Sequence, residues 1–283
     1  MISLFLACSM SSPATLVDEL RVMAIQTEPA ELSPFDTEAT LSLLIADPAQ
    51  KGADVVYWTC TNLGDGCLEA QFFSEDLAAW PQTFTREELL TQRPISVPMP
   101  LAGVLEQLPP EAIPFYGSIM WVFACTTGEC TFIDDIQNGQ IDPEVLASPL
   151  SLVEDLPFGV ASLAFKSIPV STRPTEEKIQ NPTLTPLFDD TPTQPVEETL
   201  DLSFSYQLNT EPNEDSLIYG YATIGGFSEA DRSNSQLQQT EGTATLPWFA
   251  PEEAGEGSVY VILENGIGGT GIWYSDAQVI PAP

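Results

Sequence analysis

Five cysteines and 41 acidic residues are the side chains of this 283-residue chain with the most chemical reach, and the absence of histidine limits what they can do. Without an imidazole there is no Ser-His-Asp or Cys-His nucleophile, no His-ligated zinc or haem, and no ordinary imidazole acid-base step at neutral pH. A glycosidase needs only two carboxylates at a set separation. No pair stands out among 41 acids, and the expectation is that the protein is not an enzyme. The thiols are better placed for cross-linking than for catalysis. Cys60 and Cys67 bracket Thr-Asn-Leu-Gly-Asp-Gly, and Cys125 and Cys130 bracket Thr-Thr-Gly-Glu. Glycine between each pair suits a tight loop, so local bridges Cys60 to Cys67 and Cys125 to Cys130 are expected. A cross-pairing is the alternative, because Trp58 and Cys60 share one face of a strand while Trp121, Phe123 and Cys125 share one face of another. Cys8 stands apart from these four.

Two weaker constellations deserve naming. The segment Asp134-Asp135-Ile136-Gln137-Asn138-Gly139-Gln140-Ile141-Asp142 has part of a calcium-loop pattern, with Asp134, Asn138 and Asp142 as possible oxygen ligands and Gly139 at the sharp turn. Ile136 and Val145 stand where two further ligands belong, so a solvated turn is the simpler expectation and no cofactor is expected. Tyr219 and Tyr221 share one strand face, and adjacent Trp273 and Tyr274 point to opposite faces, so one of that pair should be outward and could stack on a sugar. Packing of these rings in a core is the bland alternative, and Trp58 and Trp121 are read as core beside the cysteines.

The elements that must position these residues are strands. Runs at 20–26, 39–46, 54–60, 117–125 and 160–170, then at 197–207, 216–224, 243–248, 258–263 and 270–275, are each closed by Gly, Pro, Asn or Asp. Spacing of about ten residues predicts antiparallel β-sandwiches. Asn265-Gly266 between the last two runs is a hairpin signal. Ser74–Trp80, Thr85–Leu90 and Val104–Leu108 read as short helical turns, part of an insertion at about 70–113. A polar, two-proline stretch at 173–182 reads as a linker. The division is therefore a sandwich with an insertion over 20–172, the linker 173–182, and a second sandwich over 183–283.

Composition narrows the partners. Eight Lys and Arg give a net charge of −33, with an isoelectric point near 4.1 and a mean hydropathy of +0.03. Nucleic acid and anionic lipid surfaces are poor partners for such a chain. Exposed charges repel over a Debye length of about 10 Å at 0.1 M salt, so stability should rise with salt.

Met1-Ile2-Ser3-Leu4-Phe5-Leu6-Ala7-Cys8-Ser9 resembles the tail of a bacterial lipoprotein signal peptide, in which a small residue precedes the acylated cysteine. Leu20-Arg21-Val22-Met23-Ala24-Ile25 with Glu28-Pro29-Ala30-Glu31-Leu32-Ser33-Pro34 and Ala46-Asp47-Pro48 resembles the first strands of immunoglobulin-like domains in predicted lipoproteins of myxobacteria and related predatory or marine bacteria. Ala244-Thr245-Leu246-Pro247-Trp248-Phe249-Ala250-Pro251, through Gly257 to Gly268-Gly269, is similar to their final strands. The resemblance departs at Phe35, where Gly is more usual. It implies an all-β, exported, outer-membrane or surface protein of two tandem immunoglobulin-like sandwiches, the first with short helical insertions, anchored through lipid on Cys8, with residues 1–19 as signal remnant and tether. Its expected role is structural or adhesive, with an envelope protein or a glycan as partner and the membrane touched only through the anchor.

Overall fold

The computed structural model describes residues 16–62, 82–85, 88–89, 95–98, 117–130, 159–227 and 236–282. It is all-β. The first sandwich contains β1 (Arg21–Glu28), β2 (Glu38–Ala46), β3 (Ala53–Asn62), β4 (Gln82–Phe84), β5 (Ile95–Pro98), β6 (Gly117–Thr126) and β7 (Ala161–Pro169). One sheet runs β1-β2-β5 and the other β4-β3-β6-β7. The second sandwich contains β8 (Thr183–Pro186), β9 (Thr193–Pro195), β10 (Thr199–Gln207), β11 (Ser216–Ala222), β12 (Gly226–Phe227), β13 (Glu241–Phe249), β14 (Gly255–Asn265) and β15 (Thr270–Ile280). Its sheets run β12-β13-β10-β8 and β11-β14-β15-β9.

The connectivity is that of an immunoglobulin sandwich. In the second unit β8, β10, β13 and β12 take the A, B, E and D places, and β11, β14 and β15 form the C-F-G sheet. The short strand β9 crosses over and pairs in parallel with β15, Gln278 opposite Thr193. The first unit repeats the plan: Leu32, beyond the end of β1, makes a parallel bridge to Val170 just past β7. Each sandwich has its own core. Leu41, Leu43, Ile45, Val55, Tyr57, Met120, Val122 and Ile168 fill the first, and Leu202, Phe204, Trp248, Val259, Val261 and Leu263 the second.

Strand alternation explains those cores but not all of the burial. In β2, Leu43, Leu44, Ile45 and Ala46 are all buried, and in β14 every residue from Ser258 to Leu263 is. A strand reads as a continuous apolar run when both of its faces are covered. Here the second cover is the other sandwich. Ala24, Leu44 and Ala46 on the outer face of β1–β2 pack against Tyr260 and Ile262 on the outer face of β14, with Met23, Tyr219, Tyr221, Ile272 and Tyr274 around them. The two sandwiches are thus welded face to face.

Several expectations change. Leu16 bridges to Ala222, the Val17 N–H donates to the Ala222 carbonyl at 2.8 Å, and Val17 is fully buried, so the stretch read as a tether is already held by the second sandwich at these residues. Among the described residues no full helix replaces the expected helical insertion. Of the described residues there, Glu88 and Leu89 are helical, with a reciprocal cap in which Thr85 N–H donates to Glu88 Oε2 at 3.0 Å and Glu88 N–H to Thr85 Oγ1 at 3.3 Å. The stretches 74–80 and 104–108 lie outside the described residues.

Candidate functional site

The site with the most structure is the junction of the two sandwiches, and three sequence features build it. The first is the segment read as a linker. Glu31, its side chain fully buried, holds it down. Glu31 Oε1 accepts from Ser171 Oγ and from Arg173 Nε, the latter at 3.1 Å, while Oε2 accepts from Arg173 Nη2 and from the Ile179 N–H at 2.8 Å. Burial alone would raise the Glu31 pKa. The Ile179, Ser171 and Arg173 hydrogen bonds, with the Arg173 charge, outweigh it and hold the carboxyl below its ordinary value.

The second feature is Asn181, which touches both sandwiches. Its Nδ2 donates to the Thr27 carbonyl at 2.7 Å and to Glu28 Oε2 at 2.9 Å, and its Oδ1 accepts from the Thr270 N–H at 3.0 Å. The third is the β14–β15 hairpin announced by Asn265-Gly266. Fully buried Asn265 accepts from the Ile267 and Gly269 N–H groups and donates to the Gln180 carbonyl. Gly266 has φ +74°, and a Cβ there would lie 2.0 Å from Asn213 Oδ1. Only glycine fits. The hairpin tip leans on the first sandwich, since a Cβ on Gly268 would sit 3.3 Å from Pro169 Cδ.

Between the β1 and β7 edges and this hairpin lies a cleft of about 440 Å³. Lys166 lines it, with Glu264 and Asp215 as its acids and Met23, Phe165 and Leu217 among its apolar residues. Lys166 shares one face of β7 with Ala164 and Ile168, which pack on the first core. Its Nζ donates to Thr270 Oγ1 at 2.6 Å, and Gln26 Nε2 donates to the Thr270 carbonyl at 2.8 Å. Burial pulls the Lys166 ammonium down to about 8, against the opposing charge of Glu264. Sequence reading missed this residue, although a lysine inside the apolar run Leu163-Ala164-Phe165-Lys166-Ser167-Ile168 was the available signal.

The residues singled out from sequence fare unevenly. Cys125 and Cys130 are joined by a local disulfide, so the cross-pairing is not adopted by Cys125. Cys8, Cys67, Asp134, Asn138 and Asp142 lie outside the described residues, as does the side chain of Cys60. The aromatic candidates Tyr219, Tyr221, Trp273 and Tyr274 are all part-buried, on two faces. Trp273 turns inward against Phe188 and Phe204, with ring centroids 5.4 and 4.9 Å away. Tyr274 faces the seam with Tyr219 and Tyr221, whose rings meet edge to face at 5.6 Å. Of the Trp273-Tyr274 pair, Trp273 is on the inner face and Tyr274 on the outer face of β15, where the first sandwich covers it in part. Burial, with Asp276 nearby, pushes the Tyr274 phenol up. Trp121, read as core, instead sits half-buried on the face opposite the first core, its ring 5.0 Å from that of Phe165, and Phe165 is 63 % exposed.

No family model matches the chain, and no curated protein matches it. Among solved structures it is similar to the native conformation of E. coli alpha-2-macroglobulin, at 10 % identity and TM-score 0.27, over 93 % of this chain and 17 % of that one. It is also similar to the D00-D0 domain of intimin, at 8 % identity and TM-score 0.23, over 93 % and 98 % of the two chains. A third is Dpr2 Ig1-Ig2 from its complex with DIP-Theta Ig1-Ig3, at 8 % identity and TM-score 0.27, over 94 % and 96 %. These likenesses are too distant to carry a function; the immunoglobulin assignment rests on the strand order.

Proposed function

We propose that this protein is a non-enzymatic interaction module of the bacterial envelope, a pair of immunoglobulin-like sandwiches that holds a binding surface at a fixed orientation. The observation that supports this best is the seam. Leu44, Ala46, Tyr260 and Ile262 are buried between the sandwiches, and Glu31 and Asn181 tie the connecting segment across them. A structural or adhesive element benefits from such stiffness, whereas a flexible linker would let the two units reorient independently. The Cys125–Cys130 disulfide supports an oxidising, exported setting, and acylation of Cys8 would supply the anchor. Intact mass of the native, membrane-extracted protein, with and without reduction, tests this. A chain starting at Cys8 with acyl groups, and cysteines alkylated only after reduction, is the expected result. An unlipidated chain with free thiols would overturn it.

Glycan binding is the second function, favoured by one observation: the exposed Phe165 ring beside Trp121. Quenching of tryptophan fluorescence by a polysaccharide panel, lost in Phe165→Ala, is its test; no change across the panel removes it.

A further inference from the structure

A strand at the edge of a sheet turns a row of N–H and C=O groups outward, and each of them needs a partner. In β7 the direction of those groups follows from the register with β6. The Thr126 N–H donates to the Val160 carbonyl at 2.9 Å, and the pairing runs from Cys125 opposite Ala161 to Gly117 opposite Pro169 without a shift. Hydrogen-bonded pairs recur at every second residue of an antiparallel ladder, so the backbone groups of Ser162, Ala164, Lys166 and Ile168 point to β6 and those of Leu163, Phe165, Ser167 and Pro169 point away. The Pro169 carbonyl, pointing away, accepts from the Leu32 N–H at 2.9 Å. Leu163, Phe165 and Ser167 have no such partner among the described residues, which leaves three donors and three acceptors along the edge. Other long edges are tied near both ends. On β1 the Val22 N–H donates to Ser162 Oγ and the Thr27 carbonyl accepts from Asn181 Nδ2, and on β11 Gln236 and Leu16 bridge to Leu217 and Ala222.

The open stretch is also a wall of the cleft. Ala164, Phe165, Lys166 and Ser167 all line it. Consecutive residues of a strand alternate between its two faces, so four in a row line one cavity only along the edge. The cleft of about 440 Å³ therefore runs beside the backbone groups that lack partners. A lysine on an edge ordinarily guards it against pairing, but the Lys166 Nζ is drawn to Thr270 Oγ1 on the second sandwich at 2.6 Å. Glu264 and Asp215 leave the lining with a net negative charge, which a cation from outside would balance. A second copy of the chain is a poor occupant, because each copy carries a net charge of −33 and would bring another acidic surface to the edge. We propose that β7 accepts an extended segment of a partner protein as an added strand, hydrogen-bonded to Leu163, Phe165 and Ser167, with apolar side chains over the exposed Phe165 ring and one Lys or Arg turned into the cleft toward Glu264 and Asp215. This names the binding surface of the interaction module proposed above and rests on that reading, but it does not depend on the lipid anchor.

The probes are end-blocked heptapeptides X-Thr-X-Lys-X-Thr-X, with X as Val, Leu or Phe, titrated into the full chain while amide hydrogen exchange is followed by NMR. At saturation the amides of Leu163, Phe165 and Ser167 are expected to exchange at least about tenfold more slowly, while those of Ala164 and Lys166, already bonded to β6, stay as they were. Binding should weaken at least about tenfold when the peptide Lys is replaced by Glu, when one alternate set of peptide nitrogens is methylated but not the other, and in Ser167→Pro, which removes one outward N–H at an edge position where proline is tolerated. Ser167→Ala should bind as the parent does. No binding by any of the peptides, protection at other amides, or equal binding of the Glu or both methylated peptides overturns the proposal. So does a dimer in sedimentation equilibrium that Ser167→Pro disperses, since a second copy then occupies the edge. The methylated peptides decide the matter on the unmodified protein even if Ser167→Pro fails to fold. An unlipidated native chain would overturn the envelope reading and leave these results untouched, whereas failure of strand addition would leave the anchor in place.

Discussion

The backbone N–H of Ile179 donates to the buried Glu31 carboxylate at 2.8 Å, across 148 residues of sequence, and so turns a polar, proline-bearing connection into part of the first sandwich. Removing that carboxylate strands a part-buried N–H and releases Arg173, so Glu31→Ala is expected to cost about 2 kcal/mol. The sign with pH follows from the lowered pKa. Stability from Glu31 is fully present above its ordinary value of 4.5 and is lost as pH falls through the lower folded value. Urea titrations of both proteins between pH 3 and 7 should therefore show a difference that shrinks toward the acid end.

Lys166 moves stability in the same direction with pH, but in an alkaline window and as a group that destabilises the fold while it is charged. With its folded pKa near 8 against 10.5 unfolded, the unfolded chain binds more protons between those values, and its contribution to stability rises with pH across that window. Holding it charged at pH 7 costs roughly 3 kcal/mol, and the Thr270 hydrogen bond offsets about 1 kcal/mol. Lys166→Met is thus expected to be about 2 kcal/mol more stable at pH 7, with the advantage narrowing from pH 8 to 10.5. Denaturant midpoints across that range measure it.

The seam makes its own prediction. Leu44 is 1 % exposed between the sandwiches, and a carboxylate there is left without a partner. Leu44→Asp is expected to cost about 3 kcal/mol and to separate the unfolding of the two sandwiches, which are otherwise coupled. Calorimetry should show one transition in the parent and two in the variant.

The disulfide is local, and its effect is correspondingly modest. Closing the loop from Cys125 to Cys130 contributes about 2 kcal/mol by loop entropy. Cys125→Ala with Cys130→Ala should lower the guanidinium midpoint by that equivalent, and a reducing agent should lower the parent's midpoint at least as far.

Much of the fold was legible because long alternating strands declare themselves. The runs predicted for β1, β2, β3, β6, β7, β10, β11, β13, β14 and β15 overlap the observed strands, and Asn265-Gly266 forms its hairpin. The short edge strands β5, β8 and β9 each end in proline and lack the length for alternation to register. The site was harder to read because it depends on which faces meet. The signal for the seam was present in Leu43-Leu44-Ile45-Ala46 and Val259-Tyr260-Val261-Ile262-Leu263, runs too continuous for strands with one solvated face. Read that way, Tyr219, Tyr221 and Tyr274 would have been assigned to packing. Lys166 was marked only by its place in an apolar run and Glu31 by nothing, and their partners, Thr270 and Ile179, are more than a hundred residues distant.

Salt should stabilise the whole molecule, and the cations show why. Arg21, Lys51, Arg173 and Lys178 are each paired with an acid, and Lys166 is withdrawn into the cleft. Among the described residues no cation is left over to soften the acidic surface, so the excess acids face one another and only mobile counter-ions can screen them. Raising NaCl shortens the Debye length from about 10 Å at 0.1 M to about 3 Å at 1 M. The exposed ion pair Lys51–Glu129 weakens in the process, but such a pair is worth at most about 1 kcal/mol. Repulsion spread over 33 excess negative charges is the larger quantity. The melting temperature is therefore expected to rise steadily with NaCl to 1 M; a flat or falling profile by differential scanning calorimetry would mean that the acids are already neutralised within the fold.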